Sequence, residues 1–358
     1  MKKIFGAIIT LAVVCGIFFV LQRVFMPKYV SEILEGGMIA EYYDEHEDHD
    51  LLFIGDCEVY ENFSPITLWE NYGITSYIRG SAQQLIWQSY YLLEEALKYE
   101  KPKAVIFNVL SMKYDVPQSE AYNRMSIDGM KLSKSKLDNV KASMMEDETS
   151  ISYLLPLLRY HSRWNELKKE DFEYAFKEKN KVTVSGYLMH CEVNPVKTIP
   201  DPKRLTDYTF GENSYKYLDM ITKICKDNDI ELILIKAPTL NPPWYDEWES
   251  QIEEYAAKNG LRYYNFLENQ EEIGIDWNTD TYDRGLHLNV YGAEKLSDYF
   301  GNILSKELSL PDHSGDSNIQ KIWADKVKAY DDMKAAQEAE YKQYGYLPSW
   351  GGHPVGDK

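Results

Sequence analysis

A chain of 358 residues is long enough to bury a sizeable core in one large domain with appendages. Its 39 basic residues against 57 acidic ones give a formal charge of -18, which argues against a nucleic-acid partner because phosphate contacts need a basic surface. Four cysteines are too few for a disulfide scaffold, and the three beyond the N-terminal segment, Cys57, Cys191 and Cys225, leave at least one thiol free.

The first thirty residues stand apart. Ile4 to Leu21, "IFGAIITLAVVCGIFFVL", is an uncharged run of 18 residues, near the lower limit of the roughly 17 to 25 that cross a bilayer as a helix. The following "QRVFMPKYV" holds no small-x-small cleavage site, so an uncleaved anchor over 1–30 is preferred to a cleaved signal peptide. Cys15 reads as a lipid-facing thiol. Lys2 and Lys3 against Arg23 and Lys28 give a slight positive-inside bias, which places the N-terminus inside and the body outside. Residues 31–50, ending in "EYYDEHEDHD", read as an acidic linker. His46 and His49 invite a metal reading there, but in a charged run of this kind solvated side chains are the preferred reading, and no metal is expected.

Five short apolar runs then read as buried parallel strands: "LLFIG" at 51–55, "ITSYI" at 74–78, "KAVIFNV" at 103–109, "ELILIKA" at 231–237 and "LRYYNF" at 261–266. Helical periodicity separates them, as in "GSAQQLIWQSYYLLEEALKYEKP", stopping at Pro102, and "ENSYKYLDMITKICKDND". Strand alternating with helix means an α/β layered fold over 51–310 with a five-stranded parallel sheet. About 120 residues separate the third and fourth strands, so a helical insertion is expected over 111–210. Residues 311–358 form a helical tail whose stripe of Ile319, Ile322, Trp323, Val327, Tyr330 and Met333 should pack on the main body. Trp87 and Tyr90 read as core, although the 14% aromatic content also suits stacking on sugar faces.

In open parallel sheets ligands bind outside the carboxyl ends of the strands. The polar residues there are Gly55-Asp56-Cys57, Arg79-Gly80-Ser81, Asn108 and Lys236, joined by Asp283 and His287 in "TYDRGLHLNVYGAEKLS". Acyl chemistry needs a nucleophile, a base, an orienter for the base and oxyanion donors. Cys57 can attack, His287 can take its proton and Asp283 can hold the imidazole. The Cys57 and Gly80 amides with the Asn108 side chain can serve the oxyanion.

These blocks resemble those of the SGNH/GDSL hydrolases: a Gly-Asp-Ser turn after strand one, a Gly after strand two, an Asn after strand three and a late Asp-x-x-His. "LHLNVYGAEKLSDYF" resembles the His block and final helix of envelope-associated members. The resemblance covers 51–305 and implies a flavodoxin-like three-layer domain and acyl-ester chemistry, either hydrolysis or O-acyl transfer on carbohydrate, without a cofactor. The chain departs from the pattern at three points. Cys57 replaces the serine, Asn108 lacks Gly-x-Asn-Asp surroundings, and Asp283-Arg-Gly-Leu-His287 has one residue more, leaving Asp280 as a reserve orienter.

Each residue also has a plainer reading. Cys57 can be a small residue filling a decayed site; as a thiolate its pKa of about 8.5 can fall beside a histidine. Glu58 beside it can repel or tune a thiolate. His287 can be a helix cap, Lys236 a snorkelling cation rather than a substrate contact, and Arg79 is a weak substrate-binding candidate. Arg124 and Lys131 read as a solvated helix face before an anionic-polymer contact. The expectation is a membrane-anchored esterase or O-acyltransferase acting on a cell-envelope glycopolymer. The alternative is a non-catalytic envelope protein that binds carbohydrate or partners a membrane acyltransferase.

Overall fold

The computed structural model describes residues 2–27, 37–176, 181–199 and 201–350. Parts of the segments read as linker (31–36) and tail (351–358) lie outside the described residues, as do the last anchor residues, 28–30. The apolar N-terminal run is one helix, Lys2–Phe25, long and apolar enough to cross a membrane, with its span unburied by the protein.

Five strands form one parallel sheet: β1 Leu51–Gly55, β2 Ser76–Gly80, β3 Ala104–Asn108, β4 Glu231–Lys236 and β5 Arg262–Asn265. Their order, β2-β1-β3-β4-β5, is the doubly wound flavodoxin-like arrangement, with its switch point between β1 and β3. β1, β3 and β4 are nearly continuous apolar runs because both faces are covered, while the edge strand β5 is half-buried. Leu51, Phe53, Ile78, Ile106 and Ile233 enter one core with the helices Pro65–Tyr72 and Val290–Glu307. Leu52, Ile54, Tyr77, Val105 and Leu234 enter the other, against Ile86–Ala96, Glu212–Asp227 and Asp246–Asn259. Each such side chain contributes about 1.5–3 kcal/mol on burial, so the alternation fixes register on both faces.

The second strand lies two residues later than the sequence pattern predicts, at 76–80. Leu51 pairs with Ser76 and Gly55 with Gly80, so Arg79 is a strand residue rather than a loop residue. The helix predicted from Gly80 begins only at Ile86, because 81–84 form a turn closed by Gln84 N to Ser81 O at 3.1 Å. Among the described residues, the region between β3 and Glu212–Asp227 holds five short α-helices, including Glu120–Ile127, Lys134–Ser143 capped by Ser133, and Leu157–Tyr160 after Pro156. Its last stretch returns to the sheet edge: Ile78 N donates to Ser185 O at 3.0 Å and Leu188 N to Tyr60 O at 2.8 Å.

Residues 37–50 lie packed on the body, with only Asp44, His46 and Asp48 of this stretch exposed. His49 and Asp50 are buried, and His49 Nδ1 lies 2.8 Å from Glu100; His46 is exposed as expected. The reason is pairing across the fold, since Lys326 Nζ reaches Glu45 at 2.6 Å and also Glu47. Lys326 belongs to the helix Ser317–Tyr344, whose apolar stripe lies on the body as expected, Trp323 stacking on Trp69 at 5.1 Å. Trp87 is fully buried.

Candidate active site

Cys57 opens the short helix Cys57–Tyr60, entered through Asp56, whose side chain accepts from Glu58 N. The turn is tight: a Cβ on Gly55 would lie 2.4 Å from Val59 Cγ2, and one on Gly80 would lie 3.1 Å from Gly55 O. Glycine at both positions lets the strand ends close beneath the cysteine.

The loop before Val290–Glu307 supplies the imidazole. Arg284 and Gly285 take positive φ values of 68° and 88°, and this reversal absorbs the extra residue between Asp283 and His287. Asp283 Oδ2 lies 2.7 Å from His287 Nδ1, and Asp283 Oδ1 accepts from His287 N at 2.8 Å. Asn289, not His287, caps the following helix. Asp280 does not orient the ring, because Lys295 Nζ at 2.7 Å and Asp276 N at 2.8 Å hold its Oδ2.

A second carboxylate, unremarked in the sequence, joins this group. Glu61 Oε2 lies 3.2 Å from His287 Nδ1 and accepts from Tyr282 Oη. Its spacing was the available signal, since a residue four after Cys57 lies one turn on along the same side of a helix. Asn62 ties the two halves together, donating to Pro238 O at 3.3 Å and accepting from Leu288 N at 2.8 Å. Tyr282 stacks on His190 with centroids 3.9 Å apart, which backs the imidazole with an aromatic wall.

Cys57 and His287 each influence the other's proton affinity. His287 Nε2 is buried with no hydrogen-bond partner among the described residues. Burial pushes the Cys57 thiol above its usual range, with His287 opposing that shift. For His287 burial favours the neutral ring, but Glu61, Cys57 and Asp283 together outweigh it and hold the imidazole well above its ordinary value.

Beneath the cysteine is a buried polar cluster. Lys236 Nζ lies 3.0 and 2.9 Å from the Glu58 oxygens and 2.6 Å from Ala237 O. Asn108 Nδ2 donates to Asp56 at 3.1 Å and to Glu58 at 2.9 Å, while its Oδ1 accepts from Ala237 N at 3.2 Å. Burial, and then the charge of Glu58, raise the Asp56 carboxyl above its usual range.

Three expectations are corrected by these contacts. Lys236 is fully buried against Glu58 and presents nothing to a substrate. Both amide hydrogens of Asn108 are engaged by carboxylates, so its side chain has no donor left for an oxyanion. Arg79, being in β2 with the parity of Tyr77, points into the core, 4.0 Å over the Tyr42 ring and 3.6 Å from Glu95. Arg124 is likewise buried, beside Glu120, Asp128 and Tyr153, while Lys131 lies over Tyr43.

Glu61, Asp283 and His287 bring three ligand-type atoms within 4.8 Å of one another, as do Glu45, Glu47 and His49. In the first group the shared Nδ1 is already a hydrogen-bonding centre; in the second Lys326 occupies both glutamates.

No family model matches the chain, and no curated protein does. Among solved structures it is similar to a Bacteroides fragilis protein provisionally named an acylhydrolase, at 12% identity, 75% coverage of this chain, 94% of that one and a TM-score of 0.38. A likeness that distant carries no argument about activity.

Proposed function

We propose that the chain is a membrane-anchored acyl-ester hydrolase or O-acyltransferase working through Cys57. In this reading the Cys57 sulfur attacks the ester carbonyl, its proton passes to His287 Nε2, and the acyl–oxygen bond breaks as that proton goes to the departing alcohol. Water or a carbohydrate hydroxyl then takes the acyl group from the thioester, His287 removing its proton and returning it to the Cys57 sulfur as the carbon–sulfur bond breaks. Asp283 and Glu61 hold the ring and stabilise the imidazolium. The oxyanion falls to the backbone amides of Cys57 and Gly80, because Asn108 is occupied.

The observation that carries this reading is the 2.7 Å contact of Asp283 with His287 Nδ1, with the other ring nitrogen buried and unpartnered among the described residues. The helix Lys2–Phe25, with Lys2 and Lys3 before its apolar run, supports an N-in anchor and an extracytoplasmic body. From that follows the substrate class, an acylated cell-envelope glycopolymer. The experiment is hydrolysis of an activated short-chain aryl ester by the full chain in micelles. Cys57→Ala and His287→Ala should each lose roughly 100- to 10,000-fold. Equal rates in all three proteins would overturn the reading.

A second reading is favoured by one observation, the raised thiol of Cys57 over a polar cluster with no free side-chain donor. It is a non-catalytic envelope protein that binds carbohydrate or a membrane acyltransferase. Polysaccharide binding undiminished in Cys57→Ala and His287→Ala, with no esterase activity in the wild type, would select it.

A further inference from the structure

The segment 157–176 is tied to the C-terminal end of the apolar helix. Gln22 Oε1 accepts from Leu157 N, Arg163 Nη1 donates to Phe25 O at 2.6 Å, and Arg23 Nε donates to Ala175 O. The Arg23 guanidinium lies 5.9 Å from the Phe19 ring and 5.6 Å from that of Phe176. Around these ties stand large apolar side chains, one about half uncovered and three mostly so: Leu158 at 47%, Trp164 at 72%, Phe172 at 59% and Phe176 at 61% exposed. Among the described residues no other element covers them.

Three features name the occupant. The patch is continuous with residues 19–25, where the apolar helix leaves its span, so whatever surrounds that end also meets the patch. Its make-up, a tryptophan and two phenylalanines around an arginine at the end of a span, is that of a bilayer interface, where indoles lie at headgroup depth and guanidinium groups snorkel. Residues 157–176 carry four basic residues (Arg159, Arg163, Lys168, Lys169) and four acidic ones (Glu166, Glu170, Asp171, Glu173), so an anionic polymer gains nothing there.

We infer that this face of the body is inserted at the headgroup–acyl boundary of the bilayer that the N-terminal helix crosses, with Trp164, Phe172, Phe176 and Leu158 as the inserted side chains. The inference rests on reading Lys2–Phe25 as a membrane span. Two-point attachment fixes the tilt of the body, so the Cys57 edge works at a set height above the lipid rather than sweeping freely on a tether.

The test uses the full chain in nanodiscs of phosphatidylcholine, plain or brominated high on the acyl chain. Subtracting the emission of Trp164→Phe from that of the wild type isolates Trp164, and Ile9→Trp reports the span. The expected result is a blue-shifted Trp164 contribution that loses more than about half its intensity in brominated lipid, at low and high salt alike. An unquenched Trp164 beside a quenched Ile9→Trp reporter would overturn the inference while keeping the anchor, and would leave the face to a protein partner. Quenching of Trp164 with none at Ile9→Trp would keep the lipid contact and remove the span. Quenching at neither would remove both.

Discussion

Glu61 and Asp283 share one nitrogen: their carboxylate oxygens lie 3.2 and 2.7 Å from His287 Nδ1. Two anions on one face of an imidazole favour its protonated form, whereas a general base must begin neutral. The Cys57–His287 pair should therefore work better as pH rises above neutrality. Glu61 opposes deprotonation of both partners, raising His287 and Cys57 alike. Glu61→Gln removes that charge, lowers both values, and should shift the rising limb of kcat/KM toward lower pH. A profile unmoved by the substitution would contradict this role.

The same raised value makes a linkage prediction. A histidine whose folded pKa lies above its unfolded one stabilises the fold fully below about 6.5 and loses that contribution as pH climbs through the folded value. The difference in unfolding free energy between wild type and His287→Gln should be largest in mild acid and shrink in alkali. Denaturant titrations across that range measure it.

Lys236 and Glu58 are a buried ion pair, and removing one partner strands the other charge. Lys236→Met should cost about 3–5 kcal/mol of stability, and Lys236→Met with Glu58→Gln should recover part of it. Were Lys236 a substrate contact, the single variant would instead raise KM with stability unchanged.

Asn108 should behave as a strut for the cluster. Asn108→Ala leaves Asp56, Glu58 and Ala237 N each short of a partner, at about 1–3 kcal/mol per buried group. Thermal unfolding should show the loss. Activity lost at full stability would restore the side chain to the oxyanion role.

Gly186 takes φ +82°, and a Cβ there would meet Ile78 O at 2.0 Å. Gly186→Ala should detach the 184–187 turn from β2 and destabilise the chain by more than about 1 kcal/mol. Faster hydrogen exchange at the Ile78 amide, which donates to Ser185 O, would report it.

The sheet was legible because β1, β3 and β4 are nearly continuous apolar runs buried on both faces, which leaves little choice beyond a parallel α/β layer. β2 was displaced by two residues because Ile74 and Thr75 are apolar or β-branched too, and local pattern does not tell pairing from approach. That displacement turned Arg79 from a loop candidate into a core residue. Asp283 and His287 were legible as chemistry at a helix entrance. Glu61 carries no motif signal because it stands outside the family-like blocks, and the burial of Lys236 is not legible locally because its anion, Glu58, lies 178 residues away. Long-range pairing of this kind leaves no local trace; the packing of 37–50 against Lys326 is another case.

The central claim, that Cys57 is a nucleophile served by His287, is tested most directly by intact mass. The full chain is incubated with an activated short-chain acyl ester, quenched in acid and weighed, with Cys57→Ala and His287→Ala beside it. The account predicts an acyl adduct on Cys57 that forms in the folded wild type, is absent from Cys57→Ala and accumulates far more slowly in His287→Ala. An adduct that forms equally fast without His287, or a Cys57 that reacts only after denaturation, would contradict it.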